Sequence, residues 1–218
     1  DSCFYSNRVT ESGGGGALYF GVANATPTIT GCGFTNNKAA LLSGTIGGGA
    51  IAFSKACNPF VSNCVFRENY ATNGGGAVYV VEAAGVNQTL TFTDCDFLDN
   101  GAMATSYGGA YRDGYSDTTF RRCLFAGNSA GAYGVGGAIV VGYAGAATTR
   151  VLNCTFYYNT SYGQGGAIWA SDGLLTITNT IFYFNGAIVA NGKTLYVDSG
   201  EELRIGYTAL DTNEYDTV

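Results

Sequence analysis

The sequence predicts an all-β protein folded as a three-sided parallel β-helix of about seven coils. One observation is a short phrase, Cys-x-Phe-x-x-Asn, that returns at intervals of about thirty residues, as is typical of a solenoid. Another is a second phrase, Gly-Gly-Ala followed by an apolar residue, that lies between consecutive copies of the first. In addition, strand-forming residues dominate between the glycines, and no long stretch has apolar residues at helical spacing. We therefore expect almost no helix.

The first phrase predicts which side chains point into the coil. Its clearest copy spans residues 64–69, and the end copies replace Cys by Ser2 or Thr180. Cys and Phe lie two residues apart, so they share one face of a strand and are predicted to point inward. The Asn is predicted to turn a corner, because its amide can bond the backbone and the amide of the next coil. Stacked coils then give a ladder of phenylalanines: Phe4, Phe34, Phe66, Phe97, Phe125, Phe156 and Phe182.

The rest of each period supplies the other two sides. The Gly-Gly-Ala phrase predicts a second strand, and an apolar residue three positions before each Cys predicts a third. The gap between that apolar residue and Cys interrupts the alternation of inward and outward side chains, as a corner does. We therefore predict β-helix repeats over residues 1–188. Residues 189–218 lack the repeat and are rich in acidic side chains, and we interpret them as a capping or assembly segment.

The composition excludes several classes of function. A formal charge of −6 argues against nucleic acid as a partner. Because the chain has no His and no Cys-x-x-Cys pair, it has neither a His general base nor support for a zinc site. No apolar run is long enough for a transmembrane segment. The chain opens inside a repeat without Met or a signal-peptide pattern, so we expect a mature product or a fragment.

The paired phrases resemble the repeat of chlamydial polymorphic outer membrane proteins and of other large surface proteins with β-helical rods. Both phrases recur from residue 1 to about residue 188, and the pair is more specific than either phrase alone. The resemblance implies a right-handed β-helix exported to the cell surface, acting in adhesion or as a structural element. It transfers no catalytic residues, because the motifs of the family are structural.

The cysteines and the sequons give candidate sites of covalent modification. We expect Cys32, Cys64, Cys95, Cys123 and Cys154 to fill one inward core position per coil. Cys3 and Cys57 lie off this ladder and are the candidates for disulfide bonds. Asn24, Asn87 and Asn153 are the candidate glycosylation sites, with Asn87 in a long loop the best placed. Asn159 also begins a sequon, but its place in the Asn ladder makes it a poor acceptor.

Four carboxylates are the candidates for a chemical site. Glu68 and Asp99 hold the same outward position in successive coils, and Asp94 and Asp96 lie beside them. Carboxylates one coil apart could share a Ca²⁺ ion or lie at the spacing of about 5 Å that retaining glycosidases use. The alternative is an ordinary solvated sheet face in which Asp94 pairs with Arg122 across neighbouring strands. We predict no other metal or cofactor.

Exposed aromatic residues are the candidates for a binding surface or an interface. Tyr157, Tyr158, Tyr183 and Phe184 occupy matching positions on two successive coils. Trp169 shares another position with Tyr79 and Tyr19, which suggests a second line of rings. Such rings can stack on sugars or be covered by a partner subunit. The alternative is that strands favour Tyr and that these rings only cover neighbouring backbone.

These observations favour a non-catalytic, secreted or cell-surface structural protein, such as a subunit of an extracellular filament, appendage or surface layer. Self-association is expected, because an open coil has unpaired strand edges that another copy can satisfy. The first alternative is an adhesin or carbohydrate-binding β-helix with glycans as partners. The second is a β-helical polysaccharide lyase or glycoside hydrolase that uses the carboxylates.

Overall fold

A computed structural model describes residues 2–11, 13–40, 46–53, 56–81, 88–103, 107–142, 147–188, 194–198 and 202–211. Within these ranges the chain forms short β-strands and no helix, which confirms the all-β prediction. None of the described segments is a helix that could cross a membrane.

The strands are numbered in chain order. The first twelve are β1 (Cys3–Tyr5), β2 (Arg8–Val9), β3 (Leu18–Phe20), β4 (Thr28–Thr30), β5 (Gly33–Thr35), β6 (Lys38–Ala39), β7 (Ile51–Phe53), β8 (Phe60–Ser62), β9 (Val65–Arg67), β10 (Tyr70–Ala71), β11 (Val78–Val80) and β12 (Thr89–Thr93). The next eight are β13 (Asp96–Leu98), β14 (Gly101–Ala102), β15 (Tyr111–Arg112), β16 (Asp117–Arg121), β17 (Leu124–Ala126), β18 (Ser129–Ala130), β19 (Ile139–Val141) and β20 (Ala147–Leu152). The last nine are β21 (Thr155–Tyr157), β22 (Thr160–Ser161), β23 (Ile168–Ala170), β24 (Gly173–Thr178), β25 (Ile181–Tyr183), β26 (Gly186–Ala187), β27 (Leu195–Val197), β28 (Glu202–Gly206) and β29 (Ala209–Leu210).

Every fourth strand belongs to the same sheet, so the chain winds through four parallel sheets in turn. The first sheet begins with β1 and has eight strands, whereas the second, third and fourth begin with β2, β3 and β4 and have seven each. The parallel β-helix and its coil number agree with the prediction. The expected three strands per coil need a correction, because a fourth, two-residue strand follows each Asn corner. Two residues are too few for an alternating pattern to reveal a strand.

The predicted Phe ladder fills the interior behind the first sheet. Phe66 pairs in register with Phe34 on one side and Phe97 on the other. Its ring stacks on both neighbours, with centroids 4.9 Å and 4.8 Å away. This spacing is the strand separation of a sheet, so the rings stack because the backbone places them one above another. Phe92 and Phe120 form a second stack inside the fourth sheet, and the two stacks meet edge to face.

The predicted Asn ladder is a continuous line of buried amides. The side-chain oxygen of Asn100 accepts both the backbone N–H and an amide N–H of Asn69, each at 3.0 Å. Its own amide donates to the Asn128 oxygen at 3.0 Å and to the Phe66 carbonyl at 2.9 Å. The same pattern repeats at Asn37 and Asn159. Every amide hydrogen in the middle of this ladder therefore has an acceptor, which makes burial of the polar side chains tolerable.

Two corners of each coil have left-handed backbone. One lies directly before the ladder Asn, where Glu68 and Tyr158 have φ of 53° and 57°. The other lies directly before the ladder Cys, where Asn63 and Asn153 have φ of 51° and 56°. Asn and Gly adopt this conformation at low cost, whereas larger side chains are strained in it. The first of these corners carries several of the predicted functional residues.

The Gly-Gly-Ala phrase places backbone against backbone. A Cβ atom added to Gly76 would lie 1.8 Å from the carbonyl oxygen of Gly109 in the next coil. At Gly49 the corresponding distance, to the carbonyl oxygen of Gly76, is 1.9 Å. The phrase is therefore required by close approach of successive coils, since no side chain fits between them.

All seven cysteines are free thiols. Cys64, Cys95, Cys123 and Cys154 are buried in the predicted inward ladder. Each thiol donates to the carbonyl two residues before it, for example Cys64 to Ser62 at 3.2 Å. These thiols act as core-filling side chains, as the sequence predicts.

The two cysteines off the ladder differ in environment. Cys3 is exposed and faces outward on β1, whereas Cys57 is fully buried in the core. Burial raises the pKa of the Cys57 thiol to about 11, so this thiol stays protonated at neutral pH. The two predicted disulfide candidates therefore are not paired with each other or with a third cysteine.

The coils continue beyond residue 188. Strands β27, β28 and β29 pair in parallel with β23, β24 and β25, so the described part of the C-terminal segment adds to all but the second sheet. Leu210 takes the Phe position opposite Phe182, and the hydroxyl of Thr208 donates to the Gly206 carbonyl as the ladder thiols do. Residue 188 therefore marks a change of sequence pattern and not the end of the solenoid. The role of residues 189–218 as a capping or assembly segment stays a prediction.

Candidate functional site

The four predicted carboxylates are spread over one side of the first sheet. Glu68 and Asp99 lie at the same left-handed corner of adjacent coils, as their spacing predicts. Asp94 lies at the other left-handed corner, two residues before β13, and extended chain between the two corners places it about 16 Å from Asp99. Asp96 lies between them on β13, where burial raises the pKa of its carboxyl and the charge of Arg67 partly offsets that rise. The structure therefore brings Glu68 and Asp99 together and leaves Asp94 apart.

Asp94 is engaged in an ion pair. Its carboxylate accepts two hydrogen bonds from Arg122 of the next coil, at 2.6 Å from Nε and 2.8 Å from Nη2. These bonds lower the pKa of Asp94 and raise that of Arg122. This is the cross-strand pair that the sequence suggested as the structural alternative to a chemical site. Within the described ranges, no group of three or more His, Cys, Asp or Glu could hold a metal ion. The Ca²⁺ hypothesis for two carboxylates stays a prediction.

Replacing Glu68 with asparagine is expected to raise the free energy of unfolding by about 1 kcal/mol. Glu68 has a φ of 53°, and Asn tolerates that conformation better than Glu. Denaturant unfolding monitored by circular dichroism measures the change. Arg67→Asn is the matched control, because Arg67 lies next to Glu68 in the regular strand β9, where Asn is unfavourable. A loss of stability in Glu68→Asn would show that its carboxylate contributes more than the strained corner costs.

Sequence reasoning missed a buried carboxylate, Asp113. Its side chain accepts hydrogen bonds from the backbone N–H of Tyr115 and Ser116 and from the hydroxyls of Thr118 and Tyr111, each at 3.0 Å. Burial raises the pKa of this carboxyl, and the hydrogen bonds oppose that rise. An Asp that begins a short Gly-containing connection between two strands is a signal that could have found it. Asp113 is buried, so solvent does not reach its carboxylate. Its hydrogen bonds organise a turn inside the wall.

The predicted aromatic residues form one exposed cluster, hereafter the aromatic cluster: Tyr157, Tyr158, Tyr183 and Phe184. Between 43% and 57% of each side chain is exposed. Tyr157 stacks on Tyr183 of the next coil, with ring centroids 6.1 Å apart and planes at 12°. Tyr183 and Phe184 meet edge to face at 4.2 Å, and Tyr158 contacts both Tyr157 and Phe184. The rings therefore pack on one another outside the coil and leave a continuous apolar surface open to solvent.

Trp169 lies away from this cluster, on the third sheet. The predicted second line of rings does not form, because Arg112 and Val140 separate Trp169 from Tyr79 in the sheet register. Tyr79 is only 4% exposed, and the guanidinium of Arg112 lies 5.8 Å from the centre of its ring. Trp169 stacks instead on Tyr196 of the following coil, with centroids 6.3 Å apart.

The sequons differ in what the folded chain exposes. Asn24 and Asn153 are exposed at turns with φ of 61° and 56°, and both stay predicted acceptors. Asn159 is fully buried, and its amide donates to Phe125 and to the next ladder Asn, so it has no hydrogen to spare for a glycan. Asn87, predicted as the best acceptor, lies outside the described residues.

The coil architecture and the ladders define a class of protein, the parallel β-helix. A family model described as a right-handed beta helix region matches residues 1–142. The chain therefore belongs to the right-handed β-helix family, which also gives the handedness that the resemblance implied. The Chlamydia polymorphic membrane protein repeat matches residues 153–171, which include one complete copy of each phrase. No curated protein and no solved structure matches the chain.

The two family matches bear on different properties, the repeat on location and the β-helix on the fold. The repeat is described as that of a Chlamydia polymorphic membrane protein, which supports a cell-surface location. The β-helix itself occurs in structural proteins and in enzymes alike, so the fold alone leaves the activity open.

Proposed function

We propose that this chain is a non-catalytic structural rod of the cell surface that associates with further copies of itself. The observation that supports this proposal most directly is the aromatic cluster. Four mutually packed rings project from the sheet into solvent. Contiguous apolar surface of this kind is uncommon on a soluble protein unless a partner covers it. Burying such a surface against another subunit is favourable at about 25 cal/mol per Å² of apolar area.

The carboxylates support the enzymatic alternative less than the aromatic cluster supports self-association. Asp94 is held by Arg122, and Asp113 is sealed inside the wall. Glu68 and Asp99 remain as a pair on an open corner where water is not excluded, and Asp96, whose pKa burial raises, does not lie at that corner. General acid catalysis by a carboxyl group at neutral pH needs a raised pKa in a sheltered site.

Removing two rings of the aromatic cluster is expected to abolish self-association without unfolding the rod. The variant is Tyr158→Asn combined with Phe184→Asn, because both residues occupy left-handed corners that asparagine favours. Sedimentation velocity over a range of concentrations measures association. Tyr133→Asn is the matched control, since Tyr133 has a φ of 67° and is 74% exposed but lies outside the cluster.

A second candidate function is glycan binding by the same rings, which could stack on sugars. An unmutated chain that stays monomeric and binds soluble glycans, with binding lost in the double variant, would replace the proposed function by this one. A monomeric chain that binds no glycan would contradict both.

A further inference from the structure

One longitudinal surface of the rod carries three chemically distinct zones. We call it the corner face: it comprises the last outward residue of each first-sheet strand, the left-handed corner, and the first residue of the following second-sheet strand. Parallel pairing stacks these positions from coil to coil. The corner face therefore runs along the rod axis with a rise of about 4.8 Å per coil.

The first zone carries positive charge. Arg8, Lys38 and Arg67 are exposed on the first three coils, and Lys38 pairs in register with both Arg8 and Tyr70. Glu68 lies at the corner next to Arg67 and lines a shallow cleft with Arg8 and Lys38. Three cations thus lie on the first half of the corner face.

The middle zone is formed mostly by small residues. Gly101 on the fourth coil is followed by Ala126, Gly127 and Ser129 on the fifth. The Asp99 carboxylate extends over Gly127, where an added Cβ would lie 2.2 Å from its Oδ1 atom. This zone is therefore low, in the sense that few side chains rise above the backbone. Another surface can approach the backbone closely there.

The third zone is the aromatic cluster, on the sixth and seventh coils. It contains no charged side chain, whereas the first zone contains no more than one aromatic ring per coil. The separation between the nearest cation, Arg67, and the nearest rings, Tyr157 and Tyr158, is three coils, about 14 Å. The low middle zone lies between them.

We propose that a second copy of this chain binds to the corner face in antiparallel orientation. A two-fold axis through the middle zone, between the fourth and fifth coils, places the sixth coil of each copy against the third coil of the other. Tyr158 then lies against Arg67 and Glu68 of the second copy, and Phe184 against Lys38. The contact is isologous, so each cluster of rings is used twice.

The chemistry of the two outer zones is complementary. Guanidinium and ammonium groups bind the faces of Tyr and Phe rings, and Arg also stacks on them. The hydroxyl groups of Tyr157 and Tyr158 can donate hydrogen bonds to Glu68 of the second copy. A parallel arrangement without stagger would instead place cations against cations and rings against rings. This inference rests on the proposed self-association and adds its orientation and register.

A charge exchange tests the orientation. Tyr158→Lys is expected to weaken self-association of the 218-residue chain at least about tenfold, since it removes the ring that binds Arg67 of the second copy and places a cation beside that arginine. Arg67→Glu alone should also weaken it, because the cation that faces the rings is lost. In the double variant Tyr158→Lys with Arg67→Glu, the new lysine of each copy meets the new glutamate of the other, and association should return to within about threefold of the unmutated chain. Sedimentation velocity measures all four proteins, with Tyr133→Lys as a control that should associate normally.

The outcomes separate this inference from the proposed function. A double variant that associates no better than Tyr158→Lys overturns the antiparallel register, although self-association itself would still support the structural role. An unmutated chain that is monomeric at every concentration overturns both. Circular dichroism of each variant confirms the β-fold, so that loss of association is not mistaken for unfolding.

Discussion

Replacing Asn100 with alanine is expected to lower the free energy of unfolding by about 4 kcal/mol. The substitution removes four hydrogen bonds of the Asn ladder. It leaves two donors of Asn69 and the carbonyl of Phe66 buried without these partners, and each such group costs about 1–3 kcal/mol. Equilibrium unfolding in guanidinium chloride, followed by far-ultraviolet circular dichroism, measures the loss.

The same substitution at the start of the ladder provides the control. Asn7 is exposed, and its side chain makes one ladder hydrogen bond, to Asn37 at 2.9 Å. Asn7→Ala is therefore expected to cost about 1 kcal/mol or less. Equal losses at both positions would show that intrinsic preference for the corner, and not the buried amide line, makes Asn stabilising.

Replacing Gly76 with alanine is expected to prevent folding of the rod, with a loss above about 5 kcal/mol. The new methyl group would overlap the carbonyl of Gly109, and relief requires separating two hydrogen-bonded coils. Low yield of folded protein and loss of the β-sheet circular dichroism signal are the expected observations.

Gly186→Ala is the matched control for this prediction. Gly186 lies in strand β26, and an added Cβ there meets no atom within 4 Å. The variant should fold, with a change in stability within about 0.5 kcal/mol, as for ordinary surface substitutions. A folded, stable Gly76→Ala protein would contradict the close approach of successive coils.

The parts of the fold that repeat in every coil could be predicted from the sequence. Phe66 and Asn69 recur at a constant offset, so a stacking rule places each residue above its counterpart. The rule also placed Glu68 and Asp99 at one corner, and Tyr158 beside Phe184. Where the repeat weakens, the sequence did not reveal the coil, because Thr208 and Leu210 stand in for Cys and Phe.

Contacts between unlike residues could not be predicted in the same way. Tyr79 shares its register with Tyr19, but it lies beside Arg112 of the next coil, whose guanidinium is also 4.9 Å from the ring of Tyr107. The Asp113 turn depends on the hydroxyl groups of Tyr111 and Thr118, a pairing that the repeated phrases do not specify. Positional repetition carries no information about such pairings, which are set by packing.

The ladders allow the number of coils in the rod to change. Because Phe97 and Asn100 contact the coils on either side in the same way, a whole coil gained by duplication or lost by deletion leaves each line of rings and amides unbroken. A coil added within the low middle zone would move the charged and aromatic zones apart by one rise, and the two-fold axis would move with their midpoint. Rods with different numbers of coils can thus keep the same charged and aromatic zones. The length of the rod can then change in evolution without changing the residues that bind the second copy.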